Sequence, residues 1–163
     1  MTPIVSIVGW SGSGKTVLLE KLIPEMVRRG YRVATAKHHP HDFDIDYEGK
    51  DTWRHRQAGA ACTIISSQKR LAMIRDMDHD ASLNELRDRF ITDVDIIIAE
   101  GFKSEPVPKI EVFRKIMDVE PLCASMSGII AVVTDAPLDP GVPVLGLDDI
   151  SRIADLIVKK FLA

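Results

Sequence analysis

No apolar run in this 163-residue chain approaches the ~20 residues needed to cross a bilayer as a helix. The longest strand-like runs, residues 95–99 and 128–133, are bounded by charge or glycine. Basic charge is not in surplus either. Lys and Arg number 21 against 24 Asp and Glu, a formal net charge of −3 with histidine neutral. A general nucleic-acid binder carries a basic patch or stripe, and the densest basic stretch, Gln68-Lys69-Arg70, is too short to be one. Cysteine is scarce: Cys62 and Cys123 form neither a CxxC pair nor metal-ligand spacing. Two buried free thiols in a reducing compartment are the expectation. The first residues, Met1-Thr2-Pro3-Ile4-Val5, lack the basic segment and cleavage-site pattern of a signal peptide. These absences point to a soluble, cytoplasmic chain with neither nucleic acid nor membrane as partner.

What is present suffices for one core. Apolar residues make up 45% of the chain and charged residues 28%, and the length suits a single domain over residues 1–163. A β-branched run at residues 4–8 gives way to helical periodicity (Val17, Leu18, Leu22, Met26) up to Gly30, with a bend expected at Pro24. Further strands are predicted over 32–37, 62–66, 94–99, 109–113, 129–134 and 142–145, with another apolar stretch at 71–75. Helices are predicted over 82–90, with Ser82 as N-cap, and over 148–162. Residues 94–99 (VDIIIA) are nearly all apolar, as in a strand covered on both faces. Strands alternating with helices predict an α/β fold: an open, mainly parallel twisted sheet of the P-loop NTPase type, with helices on both faces. Residues 38–58 are polar and poorly periodic and read as a long functional loop.

Chemistry concentrates at Gly9-Trp10-Ser11-Gly12-Ser13-Gly14-Lys15-Thr16, which matches GxxxxGK[ST] at every fixed position. It follows a predicted strand and opens a predicted helix, the context this motif requires. Gly9, Gly12 and Gly14, with Ser11 and Ser13 between them, let the backbone curl so that its N–H groups face a phosphate chain. Lys15 is placed to reach the β- and γ-phosphates, and the Thr16 hydroxyl to ligate Mg²⁺. Such a site needs an acid at a neighbouring strand end, and Glu100, followed by Gly101, supplies it as a magnesium-side or water-orienting group. Asp95 lies inside the strand pattern and reads as structural.

Lys37-His38-His39-Pro40-His41-Asp42-Phe43-Asp44-Ile45-Asp46 follows the second strand. Lys37, His38 and Asp46 are candidates to face the γ-phosphate and its metal, Asp46 in a catalytic or metal-binding role. The same histidines and aspartates would also serve a transition metal, although no i,i+4 pair fixes their geometry. The NKxD tetrad common in GTP-specific proteins is missing. Asp135, after the strand at 129–134, either accepts from the guanine N–H groups or starts a turn before Ala136-Pro137. His55 and His79 read as surface residues.

Taken together, GWSGSGKT, KHHPHDFDID, GKD at 49–51, QAGAA at 57–61, IIAEGFK at 97–103, PKIEVFR at 108–114 and AVVTDAPL at 131–138 resemble the MobB family, the molybdopterin-guanine dinucleotide biosynthesis adapter proteins. The resemblance implies a homodimeric, GTP-binding P-loop protein with at most weak GTP hydrolysis. Such a protein assists the molybdopterin guanylyltransferase that joins GMP to molybdopterin, with molybdopterin or molybdoenzymes as further partners. It also implies that Gly9, Gly12, Gly14, Lys15 and Thr16 hold phosphates and metal, that Lys37, His38, Asp46 and Glu100 surround them, and that Asp135 suits guanine. Residues 117–127 match no family pattern. Two other readings use the same motifs: a P-loop small-molecule kinase, and a metal-delivery GTPase built on the His/Asp cluster.

Overall fold

The computed structural model describes residues 1–39 and 41–163. Pro40 of the His/Asp motif lies outside the described residues. The chain divides into two compact units, residues 1–38 with 82–163, and residues 39–81.

The first unit is built on six strands: β1 (Ile4–Val8), β2 (Val33–Lys37), β5 (Ile96–Glu100), β6 (Lys109–Phe113), β7 (Ile129–Thr134) and β8 (Val144–Leu145). They lie in the order β2-β5-β1-β6-β7-β8, and every pairing is parallel. Parallel neighbours need crossover connections: the helix α1 (Lys15–Arg28) joins β1 to β2 and α3 (Leu83–Phe90) leads into β5, while α4 (Ile150–Phe161) follows the last strand. Alternation along each strand divides the core. Val5, Ile7, Ile96, Ile98, Ile110, Val112, Ala131 and Val133 pack with α1 and α4. Ile4, Ile97 and Ala99 point the other way, onto Leu83 of α3, Phe102 and Val107. The parallel sheet with helices on both faces is therefore the fold the sequence predicted.

Local signals set the ends of these elements. α1 runs through Pro24 without interruption. It closes with Gly30 N–H on Val27 O at 2.9 Å and Tyr31 N–H on Met26 O at 3.2 Å, a Schellman arrangement. Glu25 accepts from Arg28 and Arg29, and Arg29 reaches Asp155 and Ser151 of α4, fastening the two helices. These arginines hold the Glu25 carboxyl well below its ordinary value, at about 2. Ser82 caps α3 as expected, accepting from Glu85 N–H at 3.2 Å.

The second unit contains α2 (Asp51–Gln57) and the strands β3 (Cys62–Ser66) and β4 (Leu71–Arg75). The expected long loop over 38–58 therefore holds a helix. α2 buries no residue, so it gives no apolar period. Asp51 in its first turn and Arg54, His55 and Arg56 in its last favour it through the helix dipole. β3 and β4 pair with each other, antiparallel, in a separate two-stranded sheet. Cys62 is exposed and Cys123 half-buried, which corrects the expectation of two buried thiols. Burial pushes the Cys123 thiol up to about 11, helped by the neighbouring Glu111. Among the described residues no helix is long and apolar enough to cross a membrane.

Candidate functional site

All six strands of the parallel sheet end at one edge, where open α/β sheets bind ligands. β1 is central and runs directly into the glycine-rich loop, and α1 starts where that loop ends, so the unpaired N–H groups of the first helical turn face it. The loop packs tightly. A Cβ on Gly9 would stand 2.4 Å from Val112 O of β6 and 2.6 Å from Ser13 Oγ. Only a glycine fits there. Ser13 itself is fully buried.

Lys15 is the first residue of α1 and is partly buried. Its Nζ folds back to donate to Trp10 O at 2.8 Å and Gly9 O at 3.2 Å. Burial pushes the Lys15 ammonium below its ordinary value; Glu100 opposes that, while Lys103 and Lys37 add to it. A cation held against carbonyl oxygens at a helix N-terminus is set to meet an anion.

Glu100 ends β5 at the level of Ile7 in β1 and Lys37 in β2. Its two carboxylate oxygens each lie 3.2 Å from the Thr16 hydroxyl, and Lys37 Nζ is 3.3 Å from Oε1. Glu100 thus contacts both Thr16 and Lys37. A hydroxyl and a carboxylate side by side, all oxygen, are the donor set that suits Mg²⁺. His38 leaves β2 at the same edge, with its N–H on Glu100 O at 3.0 Å and its ring against Phe102, centroids 5.2 Å apart. Asp95 accepts from Arg32 N–H at 2.7 Å before β5, the structural role expected of it.

Asp46 belongs to the second unit. Its Oδ1 accepts from the Thr52 hydroxyl and from Tyr47 N–H, both at 3.0 Å. Arg56 of the same unit lies 3.6 Å from both Asp44 and Asp76. Among the described residues no three His, Cys, Asp or Glu side chains converge as a metal site. His55 is exposed, and so is His79, which pairs with Asp78.

Asp135 follows β7, two strands from β1. Its carboxylate accepts from Lys115 N–H at 2.6 Å and Arg114 Nε at 3.1 Å, and the Lys115 amide and Arg114 hold it below its ordinary value. Two further residues shape this edge without having stood out in the sequence. Glu111, fully buried in β6, accepts from the N–H groups of Leu122 and Cys123 at 2.6 and 2.7 Å. A charged residue inside an otherwise apolar strand (KIEVF) is the signal that marks it. Those two bonds anchor the stretch over 117–127 that matched no pattern, and Trp10 Nε1 donates to Glu120 O of the same stretch at 2.9 Å. The other is Lys103, whose Nζ sits 4.5 Å from the Trp10 ring centroid. A lysine three residues beyond a strand-end glutamate is a visible signal, though a weak one.

Comparison with known proteins places relatives beside the whole chain. A family model described as "Molybdopterin guanine dinucleotide synthesis protein B" matches residues 4–135. A molybdopterin-guanine dinucleotide biosynthesis adapter protein of Haemophilus influenzae is 42% identical over 156 residues, 95% of this chain and 87% of that protein. One of Escherichia coli is 40% identical over 163 residues, covering 98% and 93%. Among solved structures, a molybdopterin-guanine biosynthesis protein B superposes with TM-score 0.79 at 34% identity, covering 96% of this chain and 99% of that one. Bacillus subtilis MobB superposes with TM-score 0.77 at 27% identity, covering 98% of each.

Proposed function

The chain belongs to the MobB family, adapters of molybdopterin-guanine dinucleotide biosynthesis, and we propose that it does this work as a GTP-binding module assisting the guanylyltransferase that joins GMP to molybdopterin. The observation that carries the nucleotide reading is the Thr16–Glu100 pair at 3.2 Å beside a GxxxxGK[ST] loop that opens α1. Gly9 to Thr16 cradle the phosphates, with Lys15 leaving its carbonyl partners for phosphate oxygens. Thr16 and Glu100 would hold Mg²⁺, which when bound neutralises phosphate charge. Lys37 balances the Glu100 carboxylate. Turnover is at most weak hydrolysis. Calorimetric titration with GTP, ATP and their diphosphates in magnesium tests this. GTP should bind more tightly than ATP, and absence of GTP binding overturns the reading.

Base choice rests on Asp135. Its carboxylate is aligned by Arg114 and the Lys115 amide at the carboxyl edge of the sheet, where it can accept from the guanine N–H groups. Asp135→Asn keeps a carbonyl for the Lys115 amide and turns the other oxygen, which accepts from Arg114 Nε, into a donor that can no longer accept from guanine. We expect about tenfold weaker GTP binding, about 1.4 kcal/mol, with ATP nearly unchanged. Equal losses for both nucleotides would place base recognition elsewhere.

The adapter works in the cytoplasm as a homodimer. Supporting the dimer, β3 and β4 form a sheet of only two strands, a unit that is marginal alone in water. Its Ile64, Leu71 and Met73 are 58%, 70% and 39% exposed, and Ile64 and Met73 stand directly opposite each other across the pair. Neither the kinase nor the metal-delivery reading has a comparable observation behind it.

A further inference from the structure

We propose that Lys103 is the residue of this site that distinguishes a nucleoside triphosphate from a diphosphate: it rests on the indole of Trp10 and leaves that ring to pair with terminal-phosphate oxygens. The inference builds on the nucleotide reading of the P-loop and adds to it a residue with a position to move from.

Its placement is specific. Lys103 lies three residues beyond Glu100, and its ammonium lies over Trp10, the second residue of the glycine-rich loop. The carbonyl of that same Trp10 holds Lys15 Nζ at 2.8 Å. The two ammonium groups thus flank one residue, and Lys103 and Lys37 both push on the Lys15 charge. The charges that act on Lys15 are those of two further lysines and one carboxylate, Glu100, so with Lys15 itself the local surplus is 3 − 1 = +2 in a chain whose net charge is −3. Like charges gathered in one place repel, and an anion of high charge density relieves that repulsion.

The backbone is bent to put Lys103 there. Phe102 sits at φ 50, in the left-handed region that a bulky side chain avoids. The strain persists because its ring is buried among Ile4, Leu83, Ile97 and Ala99. Ser6 Oγ donates to Gly101 O at 2.5 Å and Gly101 N–H donates to Ile7 O at 3.0 Å. Strained, over-determined turns of this kind gather at ligand sites. By contrast, the hold on the lysine itself is weak: a cation over an indole that is 39% exposed is easily exchanged for a charged phosphate oxygen. The Trp10 ring stays fixed by its bond to Glu120 O, so its emission reports the departure of the lysine.

The chain has two tryptophans, and Trp53→Phe leaves Trp10 as the only indole emitter. In that background the non-hydrolysable analogue GMPPNP should change Trp10 emission and GDP should change it far less; Lys103→Met should remove the difference. Calorimetry on the chain with Trp53 intact does not depend on that replacement. There Lys103→Met should weaken GMPPNP about tenfold and leave GDP nearly unchanged, and Lys103→Arg, which keeps charge and stacking, should restore most of the loss. A Lys103→Met chain that keeps the wild-type ratio of triphosphate to diphosphate affinity overturns the role of Lys103 and leaves the nucleotide reading standing. An unaltered chain that binds neither nucleotide overturns both.

Discussion

Lys15→Ala should reduce GTP affinity by at least about 100-fold, because two charge-assisted contacts to the β- and γ-phosphates go together, while the fold survives. In the structure the Lys15 ammonium donates to the carbonyls of Gly9 and Trp10 in its own loop and belongs to neither apolar cluster. Its loss should shift the thermal midpoint by only about 2–4 °C. Lys15→Arg should not rescue binding, since a planar fork is longer and differently shaped than a point ammonium in a loop this tight. Calorimetry with GTP, beside a thermal scan of the same sample, separates the two effects. Wild-type GTP binding by Lys15→Ala would remove the P-loop from the function altogether.

Gly9→Ala should damage both stability and binding. The added Cβ would lie 2.4 Å from Val112 O, a backbone atom of the neighbouring strand that no rotamer change can move aside. It also requires an L side chain at φ 152. Either β1 and β6 separate locally or the loop is displaced, at a cost of about 3 kcal/mol, which is roughly 6–12 °C in midpoint for a chain of this size. Gly12→Ala is the control. Beyond its chain neighbours, no atom lies within 4 Å of where a Cβ would stand on Gly12, so that variant bears only the left-handed penalty of about 1–2 kcal/mol. If the two variants melted together, close packing against β6 would not be what demands glycine at position 9.

Much of this is legible in the sequence because the signals are local. β-branched runs mark β1, β5 and β7, the glycine pattern and the lysine after it mark the loop, and Glu100 ends an apolar run. Lys37 and Glu100 meet because β2 and β5 are neighbours, an arrangement the parallel α/β pattern allows and the strand order makes definite. What is not legible depends on partners distant in sequence or on a missing apolar face. α2 is short and buries nothing, so periodicity cannot register it. The apolar runs at 62–66 and 71–75 look like any other strands; only their pairing shows that they form a separate sheet. From sequence, Asp135 reads equally as a base recogniser or a turn former. The structure adds what neither reading contains, an Arg114 side chain and a Lys115 amide drawn from the adjacent strand end. Glu111 is recognisable as odd in KIEVF, yet its role becomes clear only once residues 122 and 123 fold back over it.

The two thiols differ in a way that has practical use. Cys123, with its proton held up to about 11, is almost entirely the unreactive thiol near neutrality, while Cys62 opens β3 at the surface. Alkylating dyes react with the thiolate, so labelling of the unmodified chain should favour Cys62, on the hairpin and away from the glycine-rich loop in sequence. A single fluorophore or spin label can be placed there without engineering a cysteine or removing one.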